Sequence, residues 1–114
     1  MLGLGVDPAT RACGLTLVRY DRVCWHYVDA VTVRPARKLD FVSRLKLIEE
    51  TAQALLKGRP LEWLGVEDPV YVVAGKQRTQ ETNFDALRLL AVLGLACGWG
   101  FQRYVPVVLV DTGE

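Results

Sequence analysis

Two short apolar runs in this chain each end in a carboxylate: Leu2-Gly3-Leu4-Gly5-Val6-Asp7 and Trp63-Leu64-Gly65-Val66-Glu67. Each reads as a buried strand that delivers an acid to its C-terminal end. Burying a lone negative charge is costly, so an acid in such a place has a cation, a metal or a ligand to meet. Between the runs the period changes: Phe41, Leu45, Ile48, Ala52 and Leu55 recur at spacings of four, three, four and three. That pattern puts them on one face of an amphipathic helix over residues 39–57. A helical crossover is the connection that parallel strands require. If the two strands are parallel and adjacent, Asp7 and Glu67 stand side by side at the rim where open α/β sheets place their chemistry.

The remaining segments extend this frame. Asp7-Pro8-Ala9-Thr10-Arg11 is a turn signal, with Pro8 unable to donate to a ladder. Residues 13–19 alternate at period two, Tyr20-Asp21-Arg22 breaks the run, and residues 23–33 resume as a β-branched and aromatic strand. Breaks this short predict antiparallel hairpins. Asp40 suits the first turn of the helix and Lys57 its last, while Gly58 and Pro60 stop it. A strand over 61–67, a polar loop over 68–79, a second helix over 81–96 and a nearly all-apolar strand over 105–110 complete the chain. The predicted class is α/β: a mixed five-stranded sheet in the order β-β-β-α-β-α-β with helices packed on it. No repeat, linker or low-complexity segment interrupts residues 1–114, so one domain is expected.

Composition narrows the function classes. A domain of 114 residues buries roughly 65% of its unfolded surface. With 51% apolar and 24% charged residues the chain is an ordinary globular one. The formal net charge of +1 projects no global basic field, although Arg34, Arg37, Lys38, Arg44 and Lys46 cluster, and Lys76 and Arg78 share a later loop. Three cysteines without a C-x-x-C spacing read as reduced thiols of a cytoplasmic protein. His26 is the one histidine, which argues against a zinc site of His and Cys and against a Ser–His or Cys–His nucleophile pair. No signal peptide is evident. The longest apolar stretch, residues 89–101, is shorter than the about 20 residues a membrane span needs and reads as a buried helix running into a turn.

Gly3-Leu4-Gly5-Val6-Asp7-Pro8-Ala9-Thr10-Arg11-Ala12-Cys13-Gly14 and Ser43-Arg44-Leu45-Lys46-Leu47-Ile48 are similar to the first strand and turn and to the first helix of the RuvC-type Holliday-junction resolvases. Gly65-Val66-Glu67 stands where the family has an apolar pair and a catalytic Glu, and Ala86-Leu87-Arg88-Leu89 with Gly94 resembles its next helix. The likeness covers nearly the whole chain and implies a ribonuclease-H-like fold. It further implies a homodimeric, divalent-metal-dependent endonuclease that binds four-way DNA junctions and cuts two strands symmetrically. On that reading Asp7 and Glu67 are catalytic metal ligands for Mg²⁺ or Mn²⁺, hard ions that prefer carboxylate oxygen. Two such ions about 4 Å apart clamp the attacking water and the leaving oxygen of a phosphodiester. Arg11, Tyr71, Lys76 and Arg78 are the expected DNA contacts: Tyr71 by stacking on an unpaired base, the three cations by meeting phosphates.

Two departures qualify the resemblance. Family members run on to further acidic ligands on a C-terminal helix, whereas this sequence closes at Asp111-Thr112-Gly113-Glu114. The expectation is therefore a C-terminally truncated domain that binds metal weakly and cleaves poorly unless a further segment completes it. Asp111 and Glu114 are candidate substitute ligands, and an acid facing water is the plainer reading of each. Ala9 replaces a common Gly, which holds the backbone further from phosphate. Three alternatives stay open: a related ribonuclease-H-fold nuclease acting on structured RNA, a branched-DNA-binding domain that does not cut, and one half of an actin- or sugar-kinase-type nucleotide binder.

Overall fold

The computed structural model describes residues 1–9, 11–67 and 80–110, with residues 80–86 described in their backbone alone. Five strands form one mixed sheet: β1 (Leu2–Asp7), β2 (Cys13–Tyr20), β3 (Trp25–Val33), β4 (Trp63–Glu67) and β5 (Val107–Val110). Helix α1 (Phe41–Leu56) joins β3 to β4, and helix α2 (Gln80–Gln102) precedes β5. The strand order is β3-β2-β1-β4-β5. β1, β2 and β3 pair as antiparallel neighbours, while β4 lies parallel to β1 and β5 parallel to β4. The expected α/β class, element order and pairing senses are all present.

Register sorts the side chains into two faces. Leu4 pairs with Leu17 and Val6 with Leu15 on one side, and the same two residues pair with Leu64 and Val66 on the other. Successive strand residues alternate faces, so these six share one face, and all are at most 4% exposed. Ile48, Ala52, Leu55 and Leu56 of α1 and Val92, Ala96 and Trp99 of α2 join them in one hydrophobic cluster. The helical face read from the sequence is thus the buried one, with Leu45 and Phe41 only half-buried toward its start.

The opposite face of the central strands is nearly bare. It carries Gly3 and Gly5 of β1 and Gly65 of β4. A Cβ on Gly3 would fall 1.9 Å from the Trp63 indole, so that glycine lets the ring lie across β1. Trp63 meets Trp25 edge-on at 5.4 Å, and Trp25 packs on Tyr20 at 4.8 Å.

The ends of α1 follow local chemistry. Asp40 caps the helix, its carboxylate accepting the Ser43 backbone N–H at 2.7 Å. Lys57 closes the helix in the left-handed region (φ 49°), donating its N–H to the Gln53 carbonyl at 2.9 Å. Gly58 follows at φ 69°, a conformation glycine adopts freely. Asp40 and Lys57 are therefore cap residues flanking the helix and not members of its terminal turns.

Helix α2 runs past the predicted stop at residue 96 to Gln102. Ala96 and Trp99 face the sheet, and their burial carries the helix through Gly98 and Gly100. Gly100 has a packing role: a Cβ there would stand 2.4 Å from Val107 Cγ2 and 3.4 Å from Leu64 Cδ2. β3 in turn begins at Trp25, two residues later than predicted, because Val23 and Cys24 donate their N–H groups to Asp21 in the hairpin turn.

Candidate active site

The paired registers of β1 and β4 run from Gly3↔Trp63 to Val6↔Val66. Asp7 and Glu67 take the next position on each strand and project to the face opposite Val6 and Val66. Those valines are 4% and 0% exposed, so the core holds the two backbone stems that carry the acids. Asp7 itself is exposed and Glu67 half-buried. Their carboxyl groups share a hydrogen bond, and Asp7 is pushed up to about 6 from its ordinary 3.8 by that bond, by burial and by the charge of Glu67. Two oxyanions at this distance repel, and a shared proton is the cheapest relief in the absence of a cation.

The surroundings keep this corner open on one side and packed on the other. Gly14 pairs with Asp7 in the β1–β2 ladder, and a Cβ there would sit 3.4 Å from Asp7 Cβ. An added side chain there would rest against the stem of Asp7. Pro8 is buried and begins the turn. Cys13 lies inside the core beneath it. Burial pushes its thiol up, a hydrogen bond with the Ala9 backbone opposes this, and the charge of Asp7 adds to the rise. The thiol is accordingly a packing group.

The structure brings the two expected acids together and leaves most of the expected DNA contacts outside the described residues. Arg11 is exposed in the β1–β2 connection, close in sequence to Asp7. Tyr71, Lys76 and Arg78, like Asp111 and Glu114, lie outside the described residues. Val110, the residue before Asp111, pairs with Glu67 across the β4–β5 ladder. Arg44, one of the clustered cations in the sequence, works as a clamp. Its guanidinium donates to the Leu39 carbonyl at 3.0 Å and the Arg37 carbonyl at 2.8 Å, fixing the entry to α1. The hydrogen bond between the acids has no sequence signal beyond the matched strand ends. A second donor group, Asp21, Cys24 and His26 at the β2–β3 turn, is signalled only by a D-x-x-C-x-H spacing outside the common zinc motifs.

A pair of neighbouring carboxyl groups that repel when both are ionised fits one hard divalent cation. Two carboxylates balance its double charge and offer the oxygen donors such ions prefer.

Comparison with known proteins gives a consistent picture. No protein-family model matches the chain. The chain is 34% identical over 118 residues to crossover junction endodeoxyribonuclease RuvC of Solidesulfovibrio magneticus, a match covering 97% of this chain and 67% of that protein. The RuvC of Fusobacterium nucleatum is 28% identical over 68 residues, 60% of this chain and 36% of its own. Among solved structures, T. thermophilus RuvC in complex with Holliday junction substrate is similar at a TM-score of 0.75 and 20% identity. That likeness takes in 98% of this chain and 65% of the other, so the chain spans about two thirds of the solved protein's length.

Proposed function

Because the chain belongs to the RuvC family of crossover junction endodeoxyribonucleases, we propose that it is the ribonuclease-H-like catalytic domain of a nuclease that resolves four-way DNA junctions. The observation that carries this reading is the hydrogen-bonded meeting of Asp7 and Glu67 at the C-terminal ends of two parallel strands. The two residues would hold Mg²⁺ or Mn²⁺, which when bound supplies Lewis-acid activation of the scissile phosphodiester. Asp7 gives up its proton to make the site, and Glu67 stays fixed by β4. The open side left by Gly14 admits the phosphate. Arg11 leads the backbone toward the acids, and Tyr71, Lys76 and Arg78, which follow Glu67 in sequence, take the DNA. The unit works as a homodimer, since symmetric cleavage of a junction needs two such sites. It works in the cytoplasm, where its three free thiols stay reduced. Among the described residues no helix is long and apolar enough to cross a membrane.

The test is a comparison of ligands of equal charge. A fluorescent four-way junction, its duplex arms and a structured RNA are titrated with the protein in Mg²⁺. Junction binding at least about tenfold tighter than either competitor is the expected result, a difference of about 1.4 kcal/mol. Equal affinity for all three removes the junction reading. In Mn²⁺ any cleavage the chain performs is abolished by Asp7→Asn, and cleavage that survives this change removes the catalytic assignment.

A further inference from the structure

At the other end of the sheet from Asp7, the β2–β3 turn gathers three donors of different kinds. Tyr20 pairs with Trp25 and Arg19 with His26 across the hairpin, leaving Asp21, Arg22, Val23 and Cys24 to make the turn. Arg22 takes a positive φ of 79°, which folds Cys24 back toward Asp21. Asp21 Oδ1 accepts the Val23 and Cys24 N–H groups at 3.0 Å each. Its second oxygen, Oδ2, lies 2.5 Å from His26 Nε2, and that same nitrogen lies 3.5 Å from Cys24 Sγ. The carboxylate oxygen, thiol sulfur and imidazole nitrogen all fall within 4.8 Å of one another.

We propose that Asp21, Cys24 and His26 form a zinc site that closes the β2–β3 hairpin, with a water-accessible fourth position. In a tetrahedral zinc centre with Zn–S of about 2.3 Å and Zn–N of about 2.0 Å, nitrogen and sulfur stand about 3.5 Å apart. The separation found here is 3.5 Å. Nitrogen and oxygen stand about 3.3 Å apart in such a centre and sulfur and oxygen about 3.5 Å. The Asp21–His26 contact therefore opens, and the Cys24 sulfur and Asp21 oxygen, within 4.8 Å of each other, close, by side-chain shifts on the order of 1 Å. Little ordering is needed, because the turn already anchors Asp21 through two backbone donors and Trp25 is stacked on Tyr20 across the strand pair. Asp21 Oδ1 takes both backbone donors and leaves Oδ2 facing His26, so one carboxylate oxygen remains for the metal. As the metal binds, Cys24 releases its thiol proton to solvent, and the Nε2 proton that faces Asp21 in the metal-free turn leaves for solvent or for Nδ1, which frees the Nε2 lone pair for the metal. The single histidine that speaks against a His–Cys site in the sequence is completed here by an aspartate. Asp21 and Cys24 are exposed, which leaves the remaining position to water. Borderline-soft zinc suits this mixed set, whereas Mg²⁺ and Mn²⁺ favour the all-oxygen pair at Asp7 and Glu67.

The experiment is a titration of the full chain with Co²⁺ alone, read by absorbance and then displaced with Zn²⁺. One Co²⁺ per chain is expected, with a thiolate-to-metal charge-transfer band that Zn²⁺ abolishes. Cys24→Ser removes the band, and His26→Gln weakens Zn²⁺ binding by more than about 100-fold. Asp21→Asn keeps an acceptor oxygen for the turn while removing the charge, so weakened metal binding in that variant reports the ligand and not the fold. Asp7→Asn leaves the band in place, which separates this site from the nuclease reading. Absence of the band, its persistence in Cys24→Ser, or its loss in Asp7→Asn overturns the proposal.

Discussion

At the end of β1 one proton decides the state of the carboxyl pair. The Asp7 value of about 6 lies above its ordinary 3.8, so folding takes up a proton between those two values. The stability this group contributes is complete below about pH 4 and is lost as the pH rises through about 6. Without metal, Asp7→Asn is therefore expected to raise the melting temperature at pH 8 and to flatten the pH dependence of melting between pH 4 and 7. Mg²⁺ or Mn²⁺ is expected to raise the wild-type melting temperature at pH 8 and to do less in Asp7→Asn and in Glu67→Gln. A destabilised Asp7→Asn at pH 8 would mean that the two acids do not repel. The same scale holds the DNA contacts. Replacing Lys76 and Arg78 together by Ala should weaken junction and duplex binding alike and lower the salt slope by about 2, one unit per lost phosphate contact. The acids were legible in the sequence because a strand-ending carboxylate after an apolar run has few bland explanations. The clamp made by Arg44 was not, since its partners are backbone carbonyls, and any sequence supplies those.

Between elements, polar contacts lock the two helices together. The Trp99 indole N–H donates to Glu49, Gln53 donates to Glu49 at 3.0 Å, and Arg103 donates to Gln53 at 2.9 Å and to the Trp99 carbonyl at 3.1 Å. Trp99 is 2% exposed, so its N–H needs this partner. Glu49→Ala is expected to cost about 1–3 kcal/mol, the penalty of an unsatisfied buried donor, seen as a lower urea midpoint with an unchanged slope. Gly100→Ala tests the adjacent seam. Its Cβ would press Val107 and Leu64, and overpacking of this kind costs about 1–3 kcal/mol, whereas the same change at Gly94, where a Cβ meets nothing within 4 Å, should stabilise α2 by up to about 1 kcal/mol. The reverse order in thermal melts would contradict the packing described. Periodicity located α1 correctly because its apolar stripe has one helical phase. It stopped α2 early because glycine reads locally as a breaker, and the need for glycine at Gly100 arises from a strand that arrives later in the chain.

For the molecule as a whole, one cluster supports both the fold and the site. Leu64 is fully buried on β4, beside Leu4 and close to α2. Leu64→Ala should cost about 2–5 kcal/mol and, by loosening β4, should also weaken the response of the melting temperature to Mg²⁺. Preserved metal response in the destabilised variant would separate the core from the carboxyl pair. The amino-acid sequence alone determined the α/β class, the order of elements and the two acids, because hydrophobic period and strand-end charge are local properties. The tertiary structure alone decided that those acids meet, that Trp63 occupies the glycine-lined face, and that a hairpin turn brings an aspartate to the one histidine. Each of these depends on through-space distances set by strand register and turn geometry, which residue spacing does not encode.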